Sequence, residues 1–261
     1  MRVDLHNHTT RCNHATGSME DYVEKAIDLK IDIYGFTDHA PMDFEPEYRM
    51  NINDIEQYEN EVLFLKEKYK HKINILLGYE VDFMKNQKYM EDKILNSNVD
   101  YLIGSVHFLD TWGFDNPAFL KEYENQNIDD IWIKYFNTIE DMAKSNYFNI
   151  VGHLDLIKVF KYMPNKDIKS IAYKAMKQIK KSNMTLEINS AGLRKPIKEQ
   201  YPSKELLELA YELDIDITFS SDAHSVEQIG YKYDKVCTMA KDIGYTRCVS
   251  YEKKEKLYHK F

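Results

Sequence analysis

The feature that most limits what this chain can become is an alternation. Short runs of apolar and β-branched residues are each followed by a longer amphipathic stretch, and the pattern recurs along the 261 residues. The short runs predict strands at 3–6, 33–37, 73–78, 101–106, 149–152, 184–189 and 215–220, with a weaker eighth at 246–250. Between them, helical periodicity predicts helices at 53–69, 129–145, 167–182 and 203–213. Ser18 reads as the N-cap of a further helix, and Gly244, after Asp242 and Ile243, as a helix stop. Strands alternating with helices make parallel sheets with helical crossovers. Seven or eight such units can close into a barrel, which uses roughly 250 residues, or lie open as a doubly wound sheet. The alternation alone does not choose between them.

The ionisable residues favour closure. They gather at the C-terminal ends of the predicted strands: His6 and His8 (with His14 six residues on), Asp38 and His39, Glu80, His107, His153 and Asp155, Glu187 and Asn189, Asp222 and His224. A closed parallel barrel brings every such end to one rim, whereas an open sheet spreads them along a line. In His6-X-His8 and Asp222-X-His224, residues i and i+2 of a strand face one side, about 6.5–7 Å apart, so the two imidazoles of the first can hold one cation, and the mixed donors of the second can serve one metal or reach two neighbouring ones. One such pair is weak evidence. The joint set is stronger: seven of the nine histidines lie at these positions, leaving only His71 and His259 elsewhere. Burying so many imidazoles with two carboxylates, and no cation, would be costly. Together with Glu80 and Asp222 they make nine donors, too many for one tetrahedral ion and enough for three with room for water. Cys12, near His14, reads as a small packing residue.

Formal net charge is −8 and the pI is near 5.6, which argues against a duplex nucleic-acid partner. No run of 18 apolar residues occurs, so no helix is expected to span a membrane. The three cysteines, Cys12, Cys237 and Cys248, do not make a disulfide framework, and the N-terminus lacks the apolar core of a signal peptide. A cytoplasmic protein without membrane or nucleic-acid partners is expected.

His6-X-His8, His14, Thr37-Asp38-His39, Glu80, His107, His153 and Asp222-X-His224 resemble, in order and over nearly the whole chain, the PHP (polymerase and histidinol phosphatase) superfamily. Residues 12–18, 104–108, 112–115 and 189–194 are similar, more narrowly, to its histidinol-phosphate phosphatases. The resemblance implies one catalytic domain over 1–261, a distorted (β/α)7 TIM-like barrel with a metal site at the C-terminal rim. It implies three divalent transition-metal ions, of zinc, manganese or iron. The first would take His6, His8, Glu80 and Asp222. The second would take Glu80, as a bridge, with His107 and His153. The third would take His14, His39 and His224. The implied activity is that of a metal-dependent phosphomonoesterase acting on L-histidinol phosphate in histidine biosynthesis, with a metal-bridging hydroxide attacking phosphorus.

Glu80, Asp222 and Asp38 are accordingly the expected catalytic carboxylates. Asp38 and Asp155 each adjoin a ligand histidine, and such carboxylates commonly accept the other ring N–H. Arg194, on the rim after the sixth strand, is expected to bind phosphate with its planar fork. Arg11, Lys158 and Lys161 are further cation candidates, and Asp115, in the long connection 107–123, is expected to pair with a substrate amine. The same metal pattern would serve a PHP-type phosphodiesterase or 3′–5′ nuclease, or a non-catalytic metal-binding protein. The acidic charge and the phosphatase-like stretches weigh against the first, and the open rim placement against the second.

Overall fold

The computed structural model describes residues 1–85 and 89–261. In chain order, β1 (Val3–Asp4) leads into α1 (Met19–Asp28), β2 (Ile33–His39), α2 (Ile55–Tyr69) and β3 (Asn74–Asp82). Then come α3 (Asp92–Leu95), β4 (Tyr101–Ser105), a small hairpin of β5 (Phe108–Leu109) and β6 (Trp112–Gly113), α4 (Lys121–Glu124) and α5 (Ile128–Ser145). β7 (Ile150–Val151), α6 (Ile168–Lys181), β8 (Thr185–Asn189), α7 (Lys204–Glu212), β9 (Ile217–Ser220) and α8 (Tyr233–Ile243) follow, and β10 (Arg247–Glu252) and β11 (Glu255–Lys260) end the chain.

Seven strands pair in the order β1-β2-β3-β4-β7-β8-β9, all in parallel. The two ends of this sheet meet. Leu5 N–H donates to Phe219 O at 3.0 Å, His8 N–H donates to Ala223 O at 2.9 Å, and Asn7 bridges Ala223. The barrel therefore closes, as the convergence of strand ends implied. Because both faces are covered, one by the interior and one by helices, the strands bury nearly every residue. Gly35 is needed here: a Cβ on it would meet the Tyr101 hydroxyl, which donates to Leu5 O at 2.6 Å.

The helices start where their caps place them. Ser18 and Asp21 form a reciprocal capping box on α1, and Asn127, Asp167 and Ser203 accept from first-turn amides of α5, α6 and α7. Gly244 closes α8 at φ 125°, a conformation that suits glycine.

Two strand expectations need correction. Regular pairing of β1 stops at Asp4 rather than at residue 6. The Asn7 side chain takes over the ladder there, donating to Gly35 O and Asp4 Oδ1 at 3.1 Å each. The eighth candidate, 246–250, is a strand but not part of the barrel. It pairs antiparallel with β11 through a turn at Lys253 and Lys254, both left-handed. β11, Glu-Lys-Leu-Tyr-His-Lys, is mostly exposed and carries too little apolar signal to be read from sequence.

Candidate active site

The C-terminal strand ends open into a cleft of about 620 Å³ lined by His14, His39, Glu80, His107, His153, Asp222 and His224 among others. Register sets Glu80 on β3 beside His39 on β2. The Glu80 carboxylate is buried and meets five imidazoles. Its Oε2 lies 2.8 Å from His39 Nδ1, 3.3 Å from His6 Nε2 and 3.6 Å from His8 Nε2. Its Oε1 lies 3.0 Å from His153 Nε2 and 3.8 Å from His107 Nε2, and accepts from Ser105 Oγ at 2.6 Å. Gly152 leaves room for that hydroxyl, since a Cβ there would stand 2.3 Å from Ser105 Oγ. Asp222 Oδ1 lies 3.2 Å from His8 Nε2. The His224 ring stacks on His8 with centroids 4.0 Å apart, and the His14 ring centroid lies 4.7 Å from that of His224.

Acceptors behind the rings fix where their protons sit. His6 Nδ1 donates to Glu187 at 2.9 Å, His107 Nδ1 to Asp82 at 2.6 Å, His14 Nδ1 to Cys12 O at 2.7 Å, and His224 Nδ1 to Asp222 O at 3.1 Å. Carboxylates and carbonyls only accept, so each neutral ring is left with a bare Nε2. Among the described residues, His6 Nε2, His8 Nε2, His39 Nδ1 and Glu80 Oε2 are buried and crowd against one another or against Asp222, yet none is in hydrogen-bond geometry. Buried polar atoms rarely go unpaired. Lone pairs converging from nitrogen and carboxylate oxygen are what divalent cations take, so these residues fit metal ions. Donor atoms lie within 4.8 Å of one another in the sets His6/His8/Asp222, Glu80/His107/His153 and His8/His39/His224. His14 groups instead with His224 and Cys12.

Electrostatics follow from this crowding. Burial would raise the Glu80 carboxyl, yet His39 and His6 hold it well below its usual range. Asp222 is likewise held low, against burial, by His6 and His8. Burial pushes His39 down to about 4. His107 is driven up to about 10: burial works to lower it, but Asp82 overcomes that. A backing carboxylate that makes a ring more basic also makes it a better ligand. Two of the donors sit on strained backbone, His153 at φ 21° and Asp222 at φ 50°. For non-glycine residues such conformations cost of order 1–3 kcal/mol and cluster at functional sites.

The other candidates separate. Asp115 lines the cleft. Arg194 does too, but its Nη1 and Nη2 donate to the carbonyls of Ser221 and Asp222, so part of its fork already holds the chain that carries a donor. Asp38 is buried 3.7 Å from His8 Nδ1, beyond hydrogen-bond range, and accepts from Thr9 Oγ1. Asp155 does not serve His153; it pairs with Lys158 at 2.9 Å and accepts from Ser203 N–H. Lys158 is fully buried, bonded also to Glu199 and Gln200 O, and cannot reach a ligand in the cleft. Arg11 turns away to Glu61 at 2.6 Å, and Lys161 is exposed outside the cleft lining. Cys12 is buried, its thiol donating to Thr9 O.

Sequence reading gave no role to Glu187, Asp82, Arg49 and Lys195. Asp82 stands two residues beyond Glu80 on the same strand face, and Glu187 two before Asn189, so strand alternation could have flagged both. Arg49 lines the cleft and pairs with Asp82; it comes from a loop with no motif of its own. Lys195, exposed at the cleft, has no side-chain partner among the described residues.

A closed parallel barrel that gathers imidazoles and carboxylates at its C-terminal rim defines an α/β barrel protein with an open site whose donors could hold metal ions. The PHP domain family model matches residues 4–191, and the chain belongs to that family. It is 34% identical over 244 residues to a protein of Deinococcus radiodurans named "Probable histidinol-phosphatase", covering 92% of this chain and 93% of that one. It is 29% identical to the histidinol-phosphatase of Bacillus subtilis, covering 88% of this chain and 96% of the relative. The fold matches the crystal structure of histidinol phosphate phosphatase from Lactococcus lactis, complexed with zinc, L-histidinol and phosphate, at a TM-score of 0.84 and 20% identity over 98% of both chains.

Proposed function

We propose that this chain is a metal-dependent phosphomonoesterase that hydrolyses L-histidinol phosphate to L-histidinol and phosphate, as a cytoplasmic enzyme of histidine biosynthesis. The observation that carries the metal-dependent chemistry is the Glu80 carboxylate ringed by five imidazoles at an open cleft. The names of the relatives support the substrate. On this reading residues 1–261 act as one catalytic domain. Three divalent ions would be held, the first by His6, His8, Glu80 and Asp222, the second by Glu80, His107 and His153, and the third by His14, His39 and His224.

Bound there, the ions would lower the pKa of a water and neutralise charge on the phosphoryl oxygens. The chain's own groups do the rest. Glu80 keeps both ligand sets in fixed register through its two oxygens. Asp82 and Glu187 hold the His107 and His6 rings with Nε2 inward. Lys195 and Arg49, with the N–H groups that Arg194 retains, form the cationic wall for phosphate. Asp115 and Glu45, both lining the cleft, meet the ammonium of the substrate.

The test is phosphate release from L-histidinol phosphate by protein stripped of metal and then reloaded with zinc, manganese or iron(II). Turnover that disappears on stripping and returns on loading is expected. Hydrolysis of an oligonucleotide in its place would move the protein to the phosphodiesterase class, and binding of metal with no turnover of either would make it a metal-binding protein.

A further inference from the structure

Six of the seven barrel strands deliver a candidate donor from the C-terminal end or the turn after it: His6 and His8 follow β1, His39 and Glu80 lie on β2 and β3, and His107, His153 and Asp222 follow β4, β7 and β9. β8 delivers none, yet it runs beside the centre between β7 and β9. Its Glu187 is fully buried. The carboxylate accepts from His6 Nδ1 at 2.9 Å, from the His153 backbone N–H at 2.6 Å and from Asn189 Nδ2 at 2.8 Å. Asn189 Nδ2 also reaches Asp222 Oδ2 at 3.2 Å, and its Oδ1 is turned away to accept from Ala191 N–H. One carboxylate thus touches a ring of the first donor set, the strained backbone of the second, and, through Asn189, the acidic ligand of the first.

From this geometry we infer that Glu187 is a positioning residue, which sets the metal affinity of the first and second sites while touching no metal itself; the inference rests on reading the centre as metal-binding. Three N–H groups converge on Glu187, and only an ionised carboxylate has the acceptor capacity for all of them. Its bond to His6 keeps the proton on Nδ1 and Nε2 bare. Its bond to the His153 N–H holds that residue at φ 21°, where the side chain points at Glu80. Its charge has no Lys or Arg within ion-pair distance among the described residues, so the compensation must come from the imidazole and from cations behind it. Glu187 makes no hydrogen bond or ion pair with His14, His39 or His224, so it does not act directly on the third site.

The experiment is Zn²⁺ titration of metal-free full-length protein against a chromophoric chelator, for wild type, Glu187→Gln and Glu187→Asp, with thermal unfolding of each apo and loaded form. Gln offers one acceptor and one NH₂ in place of two acceptors, so its NH₂ either clashes with the His153 N–H or makes His6 Nδ1 the acceptor and moves the ring proton to Nε2, where a metal would bind. Outer carboxylates of this kind change metal affinity by about 10–100-fold, and that loss is expected for two classes of Zn²⁺ site while the third stays within about twofold. Asp keeps the charge but withdraws it by one methylene and should lie between; it decides alone if the Gln variant does not fold. Affinities within about twofold of wild type in the folded variants overturn the inference. So does a lower melting temperature of the apo form with unchanged affinity, or equal weakening of all sites, since either makes Glu187 merely structural. Wild-type protein that binds no Zn²⁺ overturns the metal reading as well.

Discussion

Replacing Glu80 by Gln is the sharpest perturbation of the centre, because the change is nearly isosteric and purely electrostatic at first order. Ser105 Oγ donates to Oε1 at 2.6 Å, so the amide oxygen of the new side chain takes that position. The NH₂ then falls where Oε2 was, 2.8 Å from His39 Nδ1 and 3.3 Å from His6 Nε2. It donates into nitrogens that must stay bare, and two ligands are blocked at once. The lost charge adds to this. One unit pair at 4 Å is worth about 4 kcal/mol at an effective dielectric of 20, and each 1.4 kcal/mol is tenfold. A thousandfold loss of affinity on the Oε2 side is therefore the natural scale, and a fall in kcat of at least about a hundredfold should accompany it, beyond the 10–100-fold typical of outer residues. The assay is metal content after desalting, measured by mass spectrometry, beside phosphate release at saturating metal. A Glu80→Gln protein that kept its metal and turned over within about threefold of wild type would refute the placement of Glu80 between two ligand sets.

Arg194→Ala should lower kcat/KM by roughly ten- to a hundredfold, on about 1.5–3 kcal/mol for charge-assisted contacts. It should also weaken metal binding, because the guanidinium holds the carbonyls on either side of the strained Asp222 turn; a KM effect with unchanged metal affinity would show that it serves phosphate alone. Lys195→Ala should raise KM several-fold and leave kcat and metal content alone, as expected of a solvated cation at the cleft, while Lys161→Ala should change neither constant; steady-state kinetics of both variants decides, and equal effects would discard the cleft assignment. Lys158→Ala should act on stability, not on substrate. It strands the buried Asp155 carboxylate, a loss of about 3–5 kcal/mol, read as a lower denaturation midpoint with KM unchanged in the protein that remains folded.

The barrel was legible because two independent patterns agreed: strand-helix alternation, and chemistry concentrated at strand ends. The convergence of the candidate donors was legible for the same reason, since His-X-His and Asp-X-His carry their geometry in their spacing. The cationic residues were not. Lys158 follows a donor by five residues, which suggests the rim, but its ammonium is drawn under the floor by Asp155, Glu199 and Gln200 O. Arg11 lies three residues from His14 yet finds Glu61 on α2, fifty positions away in sequence. A long flexible cation goes to whichever carboxylate the tertiary fold presents, and local spacing says nothing of that. Glu187 and Asp82 were hidden differently. Each stands on an inward strand face, where alternation marks it, but spacing does not say whether such a carboxylate is a ligand or backs one.

An acidic chain and a phosphate-ester substrate look opposed, and the geometry removes the opposition. Asp38, Asp82 and Glu187 are buried behind or beside the imidazoles, with Glu80 among them and Asp222 at their edge, and among the described residues only the Asp82 carboxylate pairs with an arginine. Buried anions with so few cationic partners demand cations from solution, and ions once held reverse the sign of the field that a ligand meets. The deep end of the cleft then attracts phosphate. Part of its wall does the reverse: Glu45 and Asp115 face the same space, and burial raises the Glu45 carboxyl, as Glu47 and Asp115 also do, against the lowering by Arg49. Such a pair gains from a cationic neighbour and loses from an anionic one. One cleft thus holds both the donor set, which gathers cations, and an acidic pair, which suits a small molecule that carries a phosphate and an ammonium. An oligonucleotide, which would bring further phosphates against Glu45 and Asp115, meets repulsion where histidinol phosphate meets a partner. The acidic wall therefore favours the phosphomonoesterase over the nuclease, although the metal ligands are the same for both.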